Sequence, residues 1–191
     1  MAKEAVPSLV VTIFLRIGKI FLDTSSFKIF FLSFKFLVFT IIVNGGYNIQ
    51  PGLIKKETEK KKEKILNDEV SKKILPILRK IVTTKEGTAS LANVNGYEIG
   101  GKTGTAQKSI AGSYSKKKIN TFVSIFPTSK PKFLLAVMLD EPKTNKDYIN
   151  HYRDGSNIKY KGTPFNTAGW TTVEVTGQII ENIGPILATK Y

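Results

Sequence analysis

No cysteine occurs in this 191-residue chain, which excludes disulfides, thiolate nucleophiles and cysteine-built metal or iron–sulfur sites. The single histidine, His151, lies in the polar stretch Asn150-His151-Tyr152-Arg153-Asp154. One imidazole cannot assemble a metal site, so it reads as a surface side chain, and neither a metal nor a cofactor is implied. Arginine is scarce too, with only Arg16, Arg79 and Arg153, so the formal charge of +14 is almost entirely lysine. Long uninterrupted apolar runs are missing as well. Phe27 to Val43 falls short of the roughly 20 residues a spanning helix needs, and it carries Lys35 at its middle, where a cation costs about 2.5–3.5 kcal/mol on insertion scales. Leu9 to Leu22 is shorter still and contains Arg16 and Lys19. Neither reads as a transmembrane helix, and no small-residue cleavage site marks a signal peptide.

What the chain does contain is a modest core's worth of apolar residues, 41% hydrophobic, with one domain's length. Lys55 to Lys64 is so charged that it reads as a solvated loop. The basic charge permits attraction to an anionic membrane or cell wall. Nucleic acid is not expected as a partner, because the lysines spread from Lys3 to Lys190 and no binding module is recognisable. Most of the 12 phenylalanines fall between Phe14 and Phe39, so residues 1–40 stand apart in composition from residues 41–191. A basic, aromatic segment lying on a membrane surface is one reading of them.

Periodicity organises the rest. Leu66, Val70, Ile74, Ile77, Leu78, Ile81 and Val82 recur at helical spacing. Asn67 or Asp68 is placed to cap that helix, and Pro76 predicts a kink or a break. The turn signal Asn95-Gly96 leads toward a strand. Lys116-Lys117-Lys118 reads as a polar hairpin connection, followed by a strand over 119–127 and an apolar strand from Phe133 to Leu139. Together these predict an antiparallel meander with a buried last strand, closed by Asp140-Glu141-Pro142. The adjacent acids Asp140 and Glu141 read as a solvated turn. Val173 to Leu187 carries a helical apolar stripe that would pack on the sheet.

The strand entering the meander holds Gly100-Gly101-Lys102-Thr103-Gly104-Thr105. A Lys-Thr-Gly run reached through a glycine pair resembles the third active-site motif of serine-acylating, penicillin-recognising enzymes. With the later Asn166-Thr167-Ala168-Gly169-Trp170, the region from about Ile41 to about Leu187 is similar to the end of the transpeptidase domain of class B penicillin-binding proteins, the septal cell-division enzyme in particular. That resemblance implies an α/β (α+β) fold like that of the β-lactamases, a mainly antiparallel sheet flanked by helices and lacking its N-terminal side. It implies D,D-transpeptidation, the cross-linking of peptidoglycan, with a stem peptide or a β-lactam as ligand, at the periplasmic face of the inner membrane. It assigns Lys102 the positive field, Thr103 the substrate carboxylate and Gly104 open access. The Thr105 N–H becomes half of the oxyanion hole.

Two motifs of that family are missing or doubtful. Ser-x-x-Lys occurs at Ser25–Lys28, Ser113–Lys116 and Ser115–Lys118. The last two follow Lys102 in a polar stretch, the wrong order. Ser25 and Lys28 precede Lys102 by far less than the family's separation, which makes Ser25 an unlikely nucleophile. Ser-x-Asn does not occur, and Tyr148-Ile149-Asn150 comes after Lys102. Without those groups nothing activates a nucleophile or relays a proton to the leaving amine. The expectation is a chain inactive on its own, with residues 1–40 out of frame with an ancestral enzyme. A non-enzymatic vestige and a basic membrane-associated protein are the alternatives.

Overall fold

The computed structural model describes the backbone of residues 10–16, 19–22, 38–48 and 63–190, and the side chains from residue 38 onward within those ranges except the last. Ser25, Lys28 and nearly all of the Lys55–Lys64 stretch lie outside the described residues.

The meander is built as the sequence predicts. β5 (Gly100–Ile110), β6 (Ser113–Phe126) and β7 (Phe133–Asp140) follow one another, each antiparallel to the next. β1 (Val10–Arg16) lies antiparallel on the far side of β7, and β2 (Lys19–Leu22) beyond it. The sheet order is therefore β2-β1-β7-β6-β5, and β5 is an edge strand. The compositional boundary at residue 40 does not coincide with a boundary in the sheet, because residues 10–16 pair with the apolar strand Phe133–Asp140. Small two-stranded pairs complete the strands: β3 (Tyr47–Asn48) with β4 (Glu63–Lys64), and β8 (Ile149–His151) with β9 (Lys159–Lys161).

Alternation along β6 and β7 divides the core in two. Phe122, Phe126, Phe133, Leu135 and Val137 face a terminal helix through its Val173 and Ile180. That helix, α3, spans Thr172–Lys190. Val123, Ile125, Leu134, Ala136 and Met138 face the other way, onto Leu78 and Val43. Val43 ends a short helix over 38–43, α1, and Leu78 belongs to α2, Asp68–Thr83. Each fully buried Val, Leu, Ile or Phe contributes roughly 1.5–3 kcal/mol to this two-sided core.

Two sequence expectations are corrected. Lys116–Lys118 lies inside β6, not in a connection. The turn is Ala111-Gly112, both at positive φ (50° and 80°), closing Ile110 onto Ser113. Such a two-residue turn matches strand twist, so the ladder runs to its tip. α2 runs unbroken through Pro76, capped by Asn67, whose side chain accepts from Glu69 N–H. Its apolar stripe is only partly buried: Leu78 and Val82 are inside, but Ile77 is 57% exposed and Val70 38%.

Candidate functional site

The glycine pair explains how α2 reaches the edge strand. A Cβ on Gly100 would stand 2.6 Å from the Thr128 methyl and 3.0 Å from the Leu78 and Arg79 backbone of α2. One on Gly101 would stand 2.5 Å from Val123 O and 2.7 Å from the Phe122 ring. Gly101 meets backbone and packed ring, and Gly100 meets the Thr128 methyl and the α2 backbone, so the glycine pair lets the helix and β6 close on the strand here. Arg79 then reaches from α2 to donate to Ile99 O at 2.7 Å, and partial burial lowers its pKa.

Which backbone groups of β5 remain open follows from the ladder. Lys118 O accepts from Glu141 N–H on the β7 side (2.8 Å), so Gln107, its partner across β5–β6, faces the open edge. Direction alternates along an antiparallel strand, so Thr105 and Thr103 share the direction of Gln107. Two further contacts agree: Thr103 O accepts from Lys102 Nζ (2.7 Å), and Gly104 O takes Thr121 Oγ1 of β6 (3.3 Å). The N–H and C=O of Thr103 and Thr105 therefore point outward, without a strand beside them among the described residues.

The side chains divide between faces. Lys102 and Gly104 line a groove of about 350 Å³ with Val38, Phe39, Thr103, Thr121 and Val123. Lys102 is exposed. The opposite face holds two hydroxyls. Thr103 Oγ1 lies 2.8 Å from Thr88 Oγ1. Thr105 Oγ1 accepts from Ala168 N–H at 2.9 Å, in a 3-10 turn, Ala168–Trp170. Thr88 was not singled out from sequence, and Ala168 entered only within the Asn166–Trp170 run with no contact assigned to it: both contacts are long-range, and no local spacing reports them. The site thus gathers one cation, two hydroxyls and outward-facing amides along one strand edge, the equipment for gripping an anion and an extended backbone.

Past the motif, a bulge between Gln107 and Ser109 shifts the register. Lys108 there pairs with Asp140 and with Glu141 (2.7 Å), and Lys117 adds a second cation to Glu141 (3.4 Å). Partial burial opposes the Lys108 charge, but the hydrogen bonds to Asp140 and Glu141 outweigh it and raise its pKa. The hydrogen bond from Lys108 holds Glu141 below the usual carboxylate range. Asp140 and Glu141 form an ion-paired clamp on the hairpin.

The other candidates fall elsewhere. Ser113–Lys116 and Ser115–Lys118 lie along β6, where residues three apart point to opposite faces, so neither Lys can serve its Ser. The same spacing recurs at Ser129–Lys132 and Ser156–Lys159, all four exposed and late in the chain. Asn150 is fully buried and donates to Gly162 O at 2.7 Å. The Tyr148 hydroxyl donates to Glu174 (3.2 Å), and burial raises its pKa. The Tyr148-Ile149-Asn150 run is thus structural. Glu174 is the centre of a buried network in which Arg153 makes two bonds to its carboxylate, each 2.9 Å, and a third to Glu181 at 2.9 Å. His151 is exposed, and among the described residues no group of three or more His, Asp or Glu side chains is placed to hold a metal. No helix of the described residues is long and apolar enough to cross a membrane.

Comparison with known proteins agrees with this geometry. A Caulobacter vibrioides protein, a probable peptidoglycan D,D-transpeptidase FtsI, is 29% identical over 160 residues, covering 78% of this chain and 25% of that protein. Stage V sporulation protein D of Bacillus subtilis is 38% identical over 114 residues, 53% of this chain and 17% of its own length. The chain therefore spans a quarter or less of these two relatives. Among solved structures, the transpeptidase domain of Burkholderia pseudomallei penicillin-binding protein 3 superposes with a TM-score of 0.61 at 23% identity, covering 79% of this chain and 40% of that one. Penicillin-binding protein 3 of Mycobacterium tuberculosis, solved with aztreonam, gives 0.58 at 21% identity, covering 78% and 34%. These likenesses establish the shared fold. The model of the penicillin binding protein transpeptidase domain matches residues 37–157, more than half of the chain and inclusive of the whole Lys102–Thr105 edge, so the chain belongs to that family.

Proposed function

We propose that this chain supplies the substrate-gripping edge of a peptidoglycan D,D-transpeptidase domain and is not by itself competent for acyl transfer. The observation that carries the reading is the edge of β5, which no other strand of the described residues pairs with beyond β6, with Lys102 beside outward-facing amides at Thr103 and Thr105. A stem peptide, or a β-lactam that mimics it, would lie along this edge. Lys102 supplies the positive field and the Thr103 hydroxyl a bond to the terminal carboxylate. Gly104 leaves the approach clear, and the Thr105 N–H meets the developing oxyanion.

Acylation also needs a nucleophile and its base, and a group to pass the proton to the leaving amine. None of the described residues provides these, Ser25 and Lys28 lie outside them, and Ser-x-Asn is absent from the sequence. In this reading the parent reaction belongs at the periplasmic face of the inner membrane, an assignment supported by family membership. Intact mass after incubation with a fluorescent penicillin tests the inactive half of the proposal. The expected result is unmodified protein, shown folded by circular dichroism. A β-lactam-competable adduct would overturn it, and peptide mapping would show whether Ser25 carries the acyl group.

A further inference from the structure

Past Ala106 and Ile119 the strands β5 and β6 leave the sheet. β7 ends at Asp140, opposite Ile119, while the β5–β6 ladder continues to Ile110 and Ser113. Residues 107–118 therefore form a two-stranded ribbon with no third strand beside it among the described residues. Such a ribbon is marginal on its own, and this one is stiffened. The Ser115 hydroxyl donates to Lys108 O at 2.9 Å beside the bulge, and the Asp140 and Glu141 carboxylates hold Lys108 at the base.

The end of the ribbon is apolar on both sides. Tyr114 is 82% exposed and Ile110 51%. Tyr114 pairs with Ser109 and Ile110 with Ser113, and adjacent residues of a strand point to opposite faces. The two apolar side chains therefore lie on opposite faces. A flat surface laid against the ribbon could cover one of them only, so an occupant that buries both must surround the tip. Behind the tip comes positive charge. Lys116 and Lys117 are exposed, Lys116 on the Tyr114 face and Lys117 on the Ile110 face. Lys117 reaches Glu141 at 3.4 Å. Residues 107–118 hold four lysines and no carboxylate, so the two acids at the base leave the ribbon net positive.

We propose that this tip inserts into the headgroup zone of an anionic lipid bilayer. The spacing fits that layer. Two residues of strand put Lys116 about 7 Å behind Tyr114, within the roughly 5–10 Å to which interfacial segments bury their apolar side. Tyr114 seats its ring below the headgroups with its hydroxyl toward them, Ile110 enters beside it, and Lys116 and Lys117 meet the lipid phosphates. A bilayer surrounds a tip on every side, which suits apolar groups on both faces. Because β5 runs unbroken from Ile110 back to Lys102, a docked tip also holds the Lys102–Thr105 edge about 20 Å from the surface.

Sedimentation of the full chain with lipid vesicles tests this. The wild type should partition onto phosphatidylglycerol mixed equally with phosphatidylcholine roughly tenfold or more better than onto phosphatidylcholine alone. The double variant Ile110→Ser/Tyr114→Ser should lose roughly tenfold or more of that partition. Ile77→Ser removes a similarly exposed side chain from α2, 57% exposed, and should lose none. That control separates the tip from the general positive charge of the chain. Depth supplies a second readout, independent of the double variant. Lipid brominated on its acyl chains should quench the fluorescence of Tyr114→Trp and leave that of the wild type, whose single tryptophan is Trp170, unchanged. A double variant that binds as the wild type does means that charge alone holds the chain, and overturns the proposal. Equal losses from Ile77→Ser, a Tyr114→Trp chain that bromine does not quench, or a wild type that ignores the vesicles overturn it as well.

Discussion

Remove one carboxylate from the buried Arg153 network and the fold should lose a large part of its stability. The Arg153 and Glu174 side chains are 5% and 3% exposed. The guanidinium makes its bidentate pair with Glu174 and also donates to His151 O (2.8 Å) and Leu91 O (3.3 Å). Glu181, its other carboxylate, is 55% exposed, so solvent screening lets it compensate little. Breaking a buried pair by removing one member costs about 3–5 kcal/mol, because the partner charge stays buried. Glu174→Leu should fall in that range. Glu174→Gln keeps one acceptor oxygen and should cost less, about 2–3 kcal/mol by the same reasoning. At roughly 2–4 °C of melting temperature per kcal/mol for a chain of this size, Glu174→Leu should melt about 6–20 °C lower. Denaturant unfolding of Arg153→Met, Glu174→Leu and the double variant completes a cycle. The double variant should be less destabilised than the sum of the singles by at least about 2 kcal/mol. Additive losses, or single losses under about 1 kcal/mol, would refute the assignment of this pair as the pin between α3, β8 and the turn at Leu91.

Gly101→Ala should destabilise the edge strand by about 1–3 kcal/mol through overpacking, with β5 amides losing hydrogen-exchange protection before those of β7. The Lys108 clamp predicts a pH signature. Glu141 titrates below its usual range when folded, so its contribution is present above the unfolded carboxylate pKa and fades as pH falls through the folded one. Lys108 is raised, so its contribution holds below the unfolded lysine pKa and is lost as pH climbs through the folded one. Lys108→Met should flatten both limbs of a stability-against-pH curve measured by urea unfolding; limbs identical to wild type would refute the clamp. Asn67→Ala should cost about 1 kcal/mol as the loss of the α2 cap, read as a lower urea midpoint at unchanged slope.

Much of this architecture is legible in the sequence because it is local. The continuous apolar run Phe133–Leu139 identifies a strand buried on both faces, and the structure buries every one of those side chains. The cap at Asn67 and the final helix follow from periodicity and side-chain chemistry. The hairpin turn was missed because Ala111-Gly112 carries a weaker signal than Asn-Gly, while the lysine triplet beside it looks like a loop. Periodicity on α2 says which side chains share a face but not what covers it, and Ile77, 57% exposed on that stripe, shows the difference. At the site, Lys102 to Thr105 announced themselves as a motif. Thr88, the contact made by Ala168 and the Arg153–Glu174 pair did not, because partners 15, 63 and 21 residues away leave no trace in local spacing.

The most direct test of the central claim, that the β5 edge is a grip for an anionic peptide-like ligand, is an amide chemical-shift titration of the folded chain with benzylpenicillin. The account predicts saturable shifts centred on Thr103, Gly104 and Thr105, weakened roughly tenfold or more by Lys102→Ala. Shifts scattered over the other lysines and unchanged by Lys102→Ala, or no shifts at all in a folded chain, would contradict it.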